Sequence, residues 1–162
     1  MDLQKNGIFT EDIEQICALP LMEELRGKTV LVTGATGLIG QTIVSALLRC
    51  GEKENPREAK EPVHVIACVR NEDKARRMFG SADRGNLQLL ISNILSMPTD
   101  RLTQRVDYMI HAASQTSSRA FVDEPVETIF TAIDGTRRAL QFAKNNDVKC
   151  FVYLSTMEVY GT

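Results

Sequence analysis

Three glycines are spaced evenly in the segment Thr33–Gly40, which reads TGATGLIG and directly follows the apolar run TVLV. A glycine turn between a strand and a helix can bind a phosphate, because backbone N–H groups and the positive end of the helix face the anion. Gly34 is assigned to the tight turn, Gly37 to close approach of a pyrophosphate, and Gly40 to close packing of the helix on the sheet. A structural turn and a mononucleotide site remain alternatives. The phosphate-loop NTPase class is excluded, because no Gly-Lys-Ser/Thr follows.

The elements that would position this turn are visible as short apolar runs that alternate with helical patterns. Five runs are short and apolar enough for buried strands: residues 28–32, 63–69, 87–91, 106–110 and 148–155. Strands that alternate with helices form right-handed crossovers. The sequence therefore predicts an α/β fold with a Rossmann-type doubly wound parallel sheet of about five strands and flanking helices.

Apolar periodicity predicts three helices, over residues 38–50, residues 71–80 and a long stretch from 125 to about 145. The first is predicted to have an apolar face made of Ile39, Ile43, Ala46, Leu47 and Cys50. The long helix is predicted to have one made of Val126, Ile129, Phe130, Ile133 and Leu140. Residues 1–27 are predicted to form an amino-terminal extension on the sheet edge, and residues 52–62 a solvated loop.

The composition limits the partners of this chain. Its 162 residues, 43% of them hydrophobic and 25% charged, are typical of one globular domain. A net charge of −2 without a basic stripe argues against nucleic acid. The first residues match neither a signal peptide nor a membrane span, so no membrane partner is expected and a cytoplasmic location is predicted.

The four cysteines are far apart and form no C-x-x-C pair: Cys17, Cys50, Cys68 and Cys150. This spacing argues against both a zinc site and a disulfide framework, so buried and reduced thiols are predicted. The two histidines add no metal-ligand spacing, and no metal is expected. His111 ends a predicted strand, where backbone hydrogen bonds are a commoner role for a histidine than acid–base chemistry.

Three further segments occur in a fixed order after the glycine turn: HAAS at His111–Ser114, IDGT at Ile133–Thr136 and STMEVYG at Ser155–Gly161. Together with TGATGLIG they resemble the motifs of the extended short-chain dehydrogenase/reductase family of nucleotide-sugar epimerases and dehydratases. The resemblance spans residues 33 to 161. It implies an NAD(P)-binding Rossmann domain over residues 28–162, with a dinucleotide cofactor as ligand.

The resemblance also implies which residues contact the cofactor. They are Gly34, Thr36, Gly37, Leu38, Ile39, Gly40, Arg70, Asn93, Ile94, Ala112, Ala113 and Ser114. Two positions depart from the family pattern, since Asn93 replaces a usual acidic residue and Ala132 a usual asparagine. Arg70 stands where NAD-preferring members have an acidic residue, and a guanidinium can bind a 2′-phosphate bidentately. NADP is therefore favoured over NAD, although Arg70 stacked over adenine would suit either cofactor.

The activity that the resemblance implies is hydride transfer at a carbon of a nucleotide-linked sugar, by an epimerase or dehydratase. Thr156 would orient the substrate hydroxyl, and Glu158 would act in proton transfer or serve as a structural carboxylate. The family's catalytic Y-x-x-x-K does not occur up to Thr162, so the chain is predicted to be truncated before that helix and the substrate domain, and to have no turnover alone.

Two other functions stay open on the sequence: a dinucleotide-binding module without catalysis, and an NADP-dependent reductase of a non-sugar substrate. The sequence after Thr162 would separate the first of these from an enzyme. The family commonly dimerises through a four-helix bundle that includes the long helix. Residues 118–145 are therefore predicted to join two copies of the chain in a homodimer.

Overall fold

The computed structural model describes residues 6–50, 61–80, 85–115 and 117–160. Its five strands form one parallel sheet in the order β3-β2-β1-β4-β5. The strands are β1 (Thr29–Thr33), β2 (His64–Val69), β3 (Leu87–Ile91), β4 (Tyr108–His111) and β5 (Cys150–Tyr153). The predicted α/β class and parallel five-stranded sheet are confirmed. The loop predicted at 52–62 lies almost wholly outside the described residues.

Six α-helices and a short 3₁₀ helix are found in the described residues. They are α1 (Gly7–Cys17), α2 (Pro20–Glu24), α3 (Leu38–Cys50), α4 (Glu72–Phe79), α5 (Ser118–Asp123), α6 (Pro125–Asn145) and the 3₁₀ helix Met157–Tyr160. The bounds of α3 and α6 agree with the sequence prediction. No helix in these ranges combines the length and apolarity needed to cross a membrane.

Alternate residues of the central strands supply two hydrophobic cores, one on each face of the sheet. Val30 and Val32 of β1 pack on one face with Leu47 of α3, whereas Leu31 packs on the other face with Phe142 of α6. All five residues of β1 are buried. Burial on both faces is what a doubly wound parallel sheet requires, and it explains why the strands are continuous apolar runs.

In two helices the side that packs on the sheet is not the whole of the predicted apolar face. In α3, Ile39 is exposed, and the buried side consists of Gly40, Val44, Ala46, Leu47, Leu48 and Cys50. In α6, every residue of the predicted apolar face is exposed by 49% to 59%. The sheet side of α6 contains Thr128, Gly135, Ala139, Phe142 and Ala143 instead. Gly135, Ala139 and Ala143 on that side let the helix approach the sheet closely, and the five side chains of the predicted apolar face remain outside.

The structure of the amino-terminal extension differs from the prediction in its packing and in the state of its cysteine. Helix α1 packs along α3 rather than on the sheet edge. This packing brings the Cα atoms of Cys17 and Cys50 to 5.0 Å, and the two residues form a disulfide. The prediction of reduced thiols is therefore wrong for this pair, because distance in sequence says nothing about helices that pack side by side. Cys68 is buried and free, and burial raises its pKa to about 11. Cys150 is free but exposed, not buried as predicted.

Asp107 ties together the amino ends of three strands. Its Oδ2 accepts a hydrogen bond from the Thr29 N–H at 3.1 Å, and its Oδ1 lies 3.1 Å from Lys149 Nζ and 3.4 Å from Arg105 Nε. Burial by itself raises the pKa of this carboxyl group, but the Thr29 N–H and the two cations outweigh it and lower the pKa below 3.8. The carboxylate therefore stabilises the fold at neutral pH.

Replacing Asp107 with asparagine is expected to lower the free energy of unfolding at pH 7 by about 1–3 kcal/mol, because a charged acceptor is lost. A lowered pKa in the folded state gives stability that is present above the unfolded pKa and is lost as the pH falls through the folded one. The wild type should therefore lose more stability than the variant between pH 5 and pH 2. Urea unfolding at these pH values measures the difference, and the exposed Asp100→Asn serves as a control that should change little.

Candidate cofactor site

The glycine turn lies between β1 and α3, against the loop that follows β4. Gly34 has a φ of 65°, a left-handed conformation that favours glycine. A Cβ on Gly34 would lie 2.7 Å from the Ala112 carbonyl oxygen and 2.7 Å from the Ala113 nitrogen. Glycine is therefore required at position 34 for two reasons: the left-handed backbone of the turn, and the close contact between the turn and the Ala112–Ala113 loop.

The other two glycines have different surroundings. A Cβ on Gly40 would overlap the Gly34 carbonyl oxygen, so the close approach is between α3 and the turn rather than between α3 and the sheet. A Cβ on Gly37 would meet only that same oxygen, at 3.2 Å. The outer side of Gly37 is open, and Leu38 and Ile39 beside it are exposed by 78% and 57%. A ligand can therefore reach the backbone of the turn at the start of α3.

The turn is located where the strand order reverses. Strands β2 and β3 lie on one side of β1, and β4 and β5 lie on the other. In open parallel sheets the crevice at this reversal, beyond the carboxyl ends of the strands, is where ligands bind. The Ala112 N–H donates to the Thr33 carbonyl at 3.3 Å, which holds the two sides of the crevice together.

His111 lies under this crevice and is 2% exposed. Its Nδ1 is 2.7 Å from the Thr33 hydroxyl, and its Nε2 is 3.5 Å from the Thr136 hydroxyl of α6. The Thr33 hydroxyl also accepts from the Ala113 N–H at 3.3 Å, which leaves its own proton for His111 Nδ1. Burial lowers the pKa of His111, so the ring is neutral at pH 7. Two side-chain hydroxyls hold this histidine, not the backbone groups that the sequence suggested.

Residues after β2 and β3 border the same edge. Arg70 directly follows β2 and is exposed, and in the described part of the chain its guanidinium makes no ion pair or hydrogen bond. Asn93 follows β3, and its side-chain oxygen accepts from the Leu95 N–H at 3.2 Å. Ile94 packs against Gly135, where an added Cβ would lie 3.2 Å from the Ile94 side chain. The glycine of the IDGT segment therefore makes room for a predicted cofactor residue.

The predicted catalytic residues follow β5. The Leu154 N–H donates to the His111 carbonyl at 3.1 Å, which brings the end of β5 beside the HAAS loop. Thr156 is exposed two residues later, and Glu158 belongs to the 3₁₀ helix. Ser114, in the neighbouring loop, is also exposed. The backbone thus brings both predicted catalytic positions to the carboxyl edge that carries the glycine turn.

Sequence reasoning missed the roles of Thr33 and Thr136. Both lie in motifs that were identified, but their hydroxyls were not connected with His111, since the three residues are far apart along the chain. Among the described residues no group of three or more His, Cys, Asp or Glu side chains is arranged to hold a metal ion. The fold and this site define a Rossmann-type domain of the dinucleotide-binding class.

Comparison with known proteins identifies the family within that class. The model of the NAD dependent epimerase/dehydratase family matches residues 30–162, and the chain belongs to this family. A dTDP-glucose 4,6-dehydratase from Streptomyces antibioticus is 31% identical over 134 residues, which cover 82% of this chain and 38% of that protein. The chain thus spans less than two-fifths of the length of this relative.

Solved structures of related proteins agree with the fold. A UDP-N-acetylglucosamine 4-epimerase from Methanobrevibacter ruminantium superposes with a TM-score of 0.67 at 24% identity, over 84% of this chain and 40% of that chain. A UDP-glucuronic acid 4-epimerase variant from Bacillus cereus, solved with NAD and a fluorinated UDP-sugar, has a TM-score of 0.62 at 25% identity, over 82% of this chain and 41% of that chain. The amino-terminal extension, residues 1–27, lies wholly outside the region that the family model matches.

Proposed function

We propose that this chain is the cofactor-binding portion of an NAD(P)-dependent epimerase or dehydratase that acts on a nucleotide-linked sugar. The observation that carries the proposal is the glycine turn at the strand-order reversal, with Gly34 pressed against the Ala112–Ala113 loop and Gly37 open on its outer side. Membership of the family supports the reaction class. A bound nicotinamide would accept and return a hydride at a sugar carbon.

Each part of the crevice has a proposed task. The N–H groups of Leu38–Gly40 and the positive end of α3 bind the pyrophosphate, whereas the Gly37 N–H donates to the Gly34 carbonyl within the turn. Arg70 binds the ribose beside β2, and Asn93 and Ile94 border the adenine. The loop Ala112–Ser114 borders the nicotinamide half of the cofactor.

Two residues after β5 are proposed to face the substrate. Thr156 orients a substrate hydroxyl through its own hydroxyl group. Glu158 takes part in proton transfer after the sugar is oxidised. Both residues belong to the segment STMEVYG, which follows the carboxyl end of β5. A Y-x-x-x-K pair, which the sequence up to Thr162 lacks, would supply the proton acceptor from elsewhere.

The proposed cofactor preference is NADP over NAD, because Arg70 is exposed and has no partner among the described residues, so its guanidinium can form a bidentate contact with a 2′-phosphate. Calorimetric titration of the chain with NADP⁺ and NAD⁺ under the same conditions tests it. We expect NADP⁺ to bind more tightly than NAD⁺. Arg70→Asp should lower the affinity for NADP⁺ tenfold or more, since a carboxylate repels the 2′-phosphate. NAD⁺ should be affected much less.

The exposed Arg101, at the opposite edge of the sheet, provides a matched control as Arg101→Asp. It should change neither dissociation constant. Equal affinity for the two cofactors would remove the proposed preference and leave the site assignment standing. If neither cofactor binds the wild-type chain, the glycine turn is structural in this protein and the proposed function fails.

We further propose a homodimer through the outer face of α6, defined as Val126, Ile129, Phe130, Ile133 and Leu140. These side chains are half-exposed and lie on one side of the helix. Phe121 and Val122 of α5, a helix that contacts α6, are also exposed. Exposed apolar side chains grouped on one side of a helix in this way indicate an interaction surface. A second copy of the chain is its proposed occupant.

Replacing Phe130 with glutamate is expected to weaken this dimer by about thirtyfold or more, because the variant would bury an unpaired carboxylate at the centre of the interface. Sedimentation equilibrium over a range of chain concentrations measures the effect. Ile8→Glu, on the exposed side of α1, adds the same charge outside the patch and should leave the association unchanged. A wild-type chain that stays monomeric at all concentrations would contradict the proposal.

A cytoplasmic location is proposed from the sequence. The Cys17–Cys50 bond bears on it, because cytosolic proteins keep most thiols reduced. Mass spectrometry of the protein alkylated at the moment of cell lysis measures its state. Full oxidation of this pair in the cell would argue against the cytoplasm.

A further inference from the structure

Lys74 connects α4 to the glycine turn across 38 residues of sequence. Its Nζ donates a hydrogen bond to the Thr36 carbonyl at 2.9 Å. Its backbone N–H donates to the Asn71 side-chain oxygen at 2.8 Å, the bond that caps the start of α4. The cap fixes the backbone of Lys74 at the start of α4, and the Thr36 carbonyl holds its ammonium group beside the turn.

The charge around Lys74 favours an anion. An ammonium group has three N–H donors, and the Thr36 carbonyl uses one of them. Arg70, four residues earlier in the sequence, is exposed, and none of the described residues pairs with its guanidinium. Glu72, two residues before Lys74, forms an ion pair with Arg76. Asp73 is exposed to solvent, which screens its charge.

The place of these two cations matches one part of a dinucleotide. In Rossmann folds, residues at the end of the second strand contact the adenosine ribose, and the glycine turn binds the adjacent pyrophosphate. Arg70 follows that strand, and Lys74 contacts the glycine turn through the Thr36 carbonyl. A 2′-phosphate carries close to two negative charges, which one guanidinium and one ammonium group balance. A ribose with a free 2′-hydroxyl offers no such charge.

We propose that Lys74 is a second specificity-determining residue, which binds the 2′-phosphate of NADP together with Arg70. The proposal rests on the proposed function of the site. It assigns Lys74 two roles at once: one ammonium N–H donates to the Thr36 carbonyl, and the remaining N–H donors bind the phosphate. With NAD, which has no 2′-phosphate, only the hydrogen bond to Thr36 would form.

Two variants separate phosphate binding from support of the turn. Lys74→Gln removes the charge and keeps an N–H donor for the Thr36 carbonyl, whereas Lys74→Ala removes both. Binding of NADP⁺ and NAD⁺ by calorimetry is compared for each variant. Lys144→Ala, an exposed lysine near the end of α6 at the opposite edge of the sheet, is the matched control.

We expect Lys74→Gln to weaken the binding of NADP⁺ about tenfold and the binding of NAD⁺ less than twofold. Lys144→Ala should change neither affinity. The NADP⁺ affinity of the wild type should also fall more steeply with salt than that of Lys74→Gln.

One contradicting outcome is that Lys74→Ala lowers the affinity for both cofactors equally while Lys74→Gln has no effect. Lys74 would then only support the turn, and the proposal would be overturned. If Arg70→Asp loses the NADP⁺ preference but Lys74→Gln keeps it in full, Lys74 does not bind the 2′-phosphate; this outcome would overturn the proposal and leave the proposed function intact. Failure of the wild type to bind either cofactor would refute the proposed function itself.

Discussion

Replacing Gly34 with alanine is expected to lower the free energy of unfolding by about 2–5 kcal/mol and to abolish cofactor binding. The left-handed backbone costs alanine about 1–2 kcal/mol, and forcing a methyl group into packed atoms adds about 1–3 kcal/mol. The methyl group would lie 2.7 Å from backbone atoms of Ala112 and Ala113, which cannot rotate away as a flexible side chain would. Relief of the clash must separate the two loops that border the crevice.

Gly85 provides the matched control for this prediction. It has a φ of 70°, almost the same as Gly34, but an added Cβ would meet no atom within 4 Å. Gly85→Ala should therefore cost only the backbone term, about 1–2 kcal/mol, and leave cofactor affinity unchanged. Urea unfolding and calorimetry of the two variants measure both quantities. Equal destabilisation would mean that the contact with the Ala112–Ala113 loop contributes nothing.

Loss of the Cys17–Cys50 disulfide is expected to have the second large effect. The bond closes a loop with a sequence separation of 33 and joins α1 to the carboxyl end of α3. A cross-link over such a loop stabilises a domain by about 2–4 kcal/mol, mainly by restricting the unfolded chain. Cys50→Ser should lower the free energy of unfolding by this amount. Reduction of the wild type with dithiothreitol should lower it similarly.

Thermal and urea unfolding with and without reductant measure this effect. Cys150→Ser is the control, because Cys150 is exposed and unpaired. The Cys50→Ser variant itself should no longer respond to reductant. Cofactor affinity should change little, since the bond lies at the end of α3 that is far from the glycine turn. A wild type that unfolds identically in both conditions would show that the pair does not stabilise the protein.

The sheet and the glycine turn could be predicted from the sequence because their signals are local. Each strand is a short apolar run that is buried on both faces, and Val30, Leu31 and Val32 need no knowledge of their neighbours to be recognised. The conformation of Gly34 belongs to its own backbone. The α6 boundaries follow in the same way, from Pro125 at its first turn and the periodicity that continues to Asn145.

The side of a helix that faces the sheet could not be predicted in this way. Periodicity identifies an apolar stripe, in α6 the one with Ile129 and Phe130, but it does not say whether the sheet or a partner covers that stripe. The sheet instead takes the side with Gly135 and Ala139, because small residues let the helix lie closer and receive Ile94. The larger side chains remain at the surface, where they are available for a partner.

By itself the sequence determined the order of strands and helices, the glycine turn and the family motifs, because each depends on residues that are neighbours along the chain. Only the tertiary structure decided the contacts between distant residues: the pairing of Cys17 with Cys50, the hydroxyls around His111, and the reach of Lys74 to Thr36. The physical reason is that these contacts depend on how whole helices and strands pack. Local propensity determines where each helix or strand forms, but not which of its sides packs against a neighbouring element.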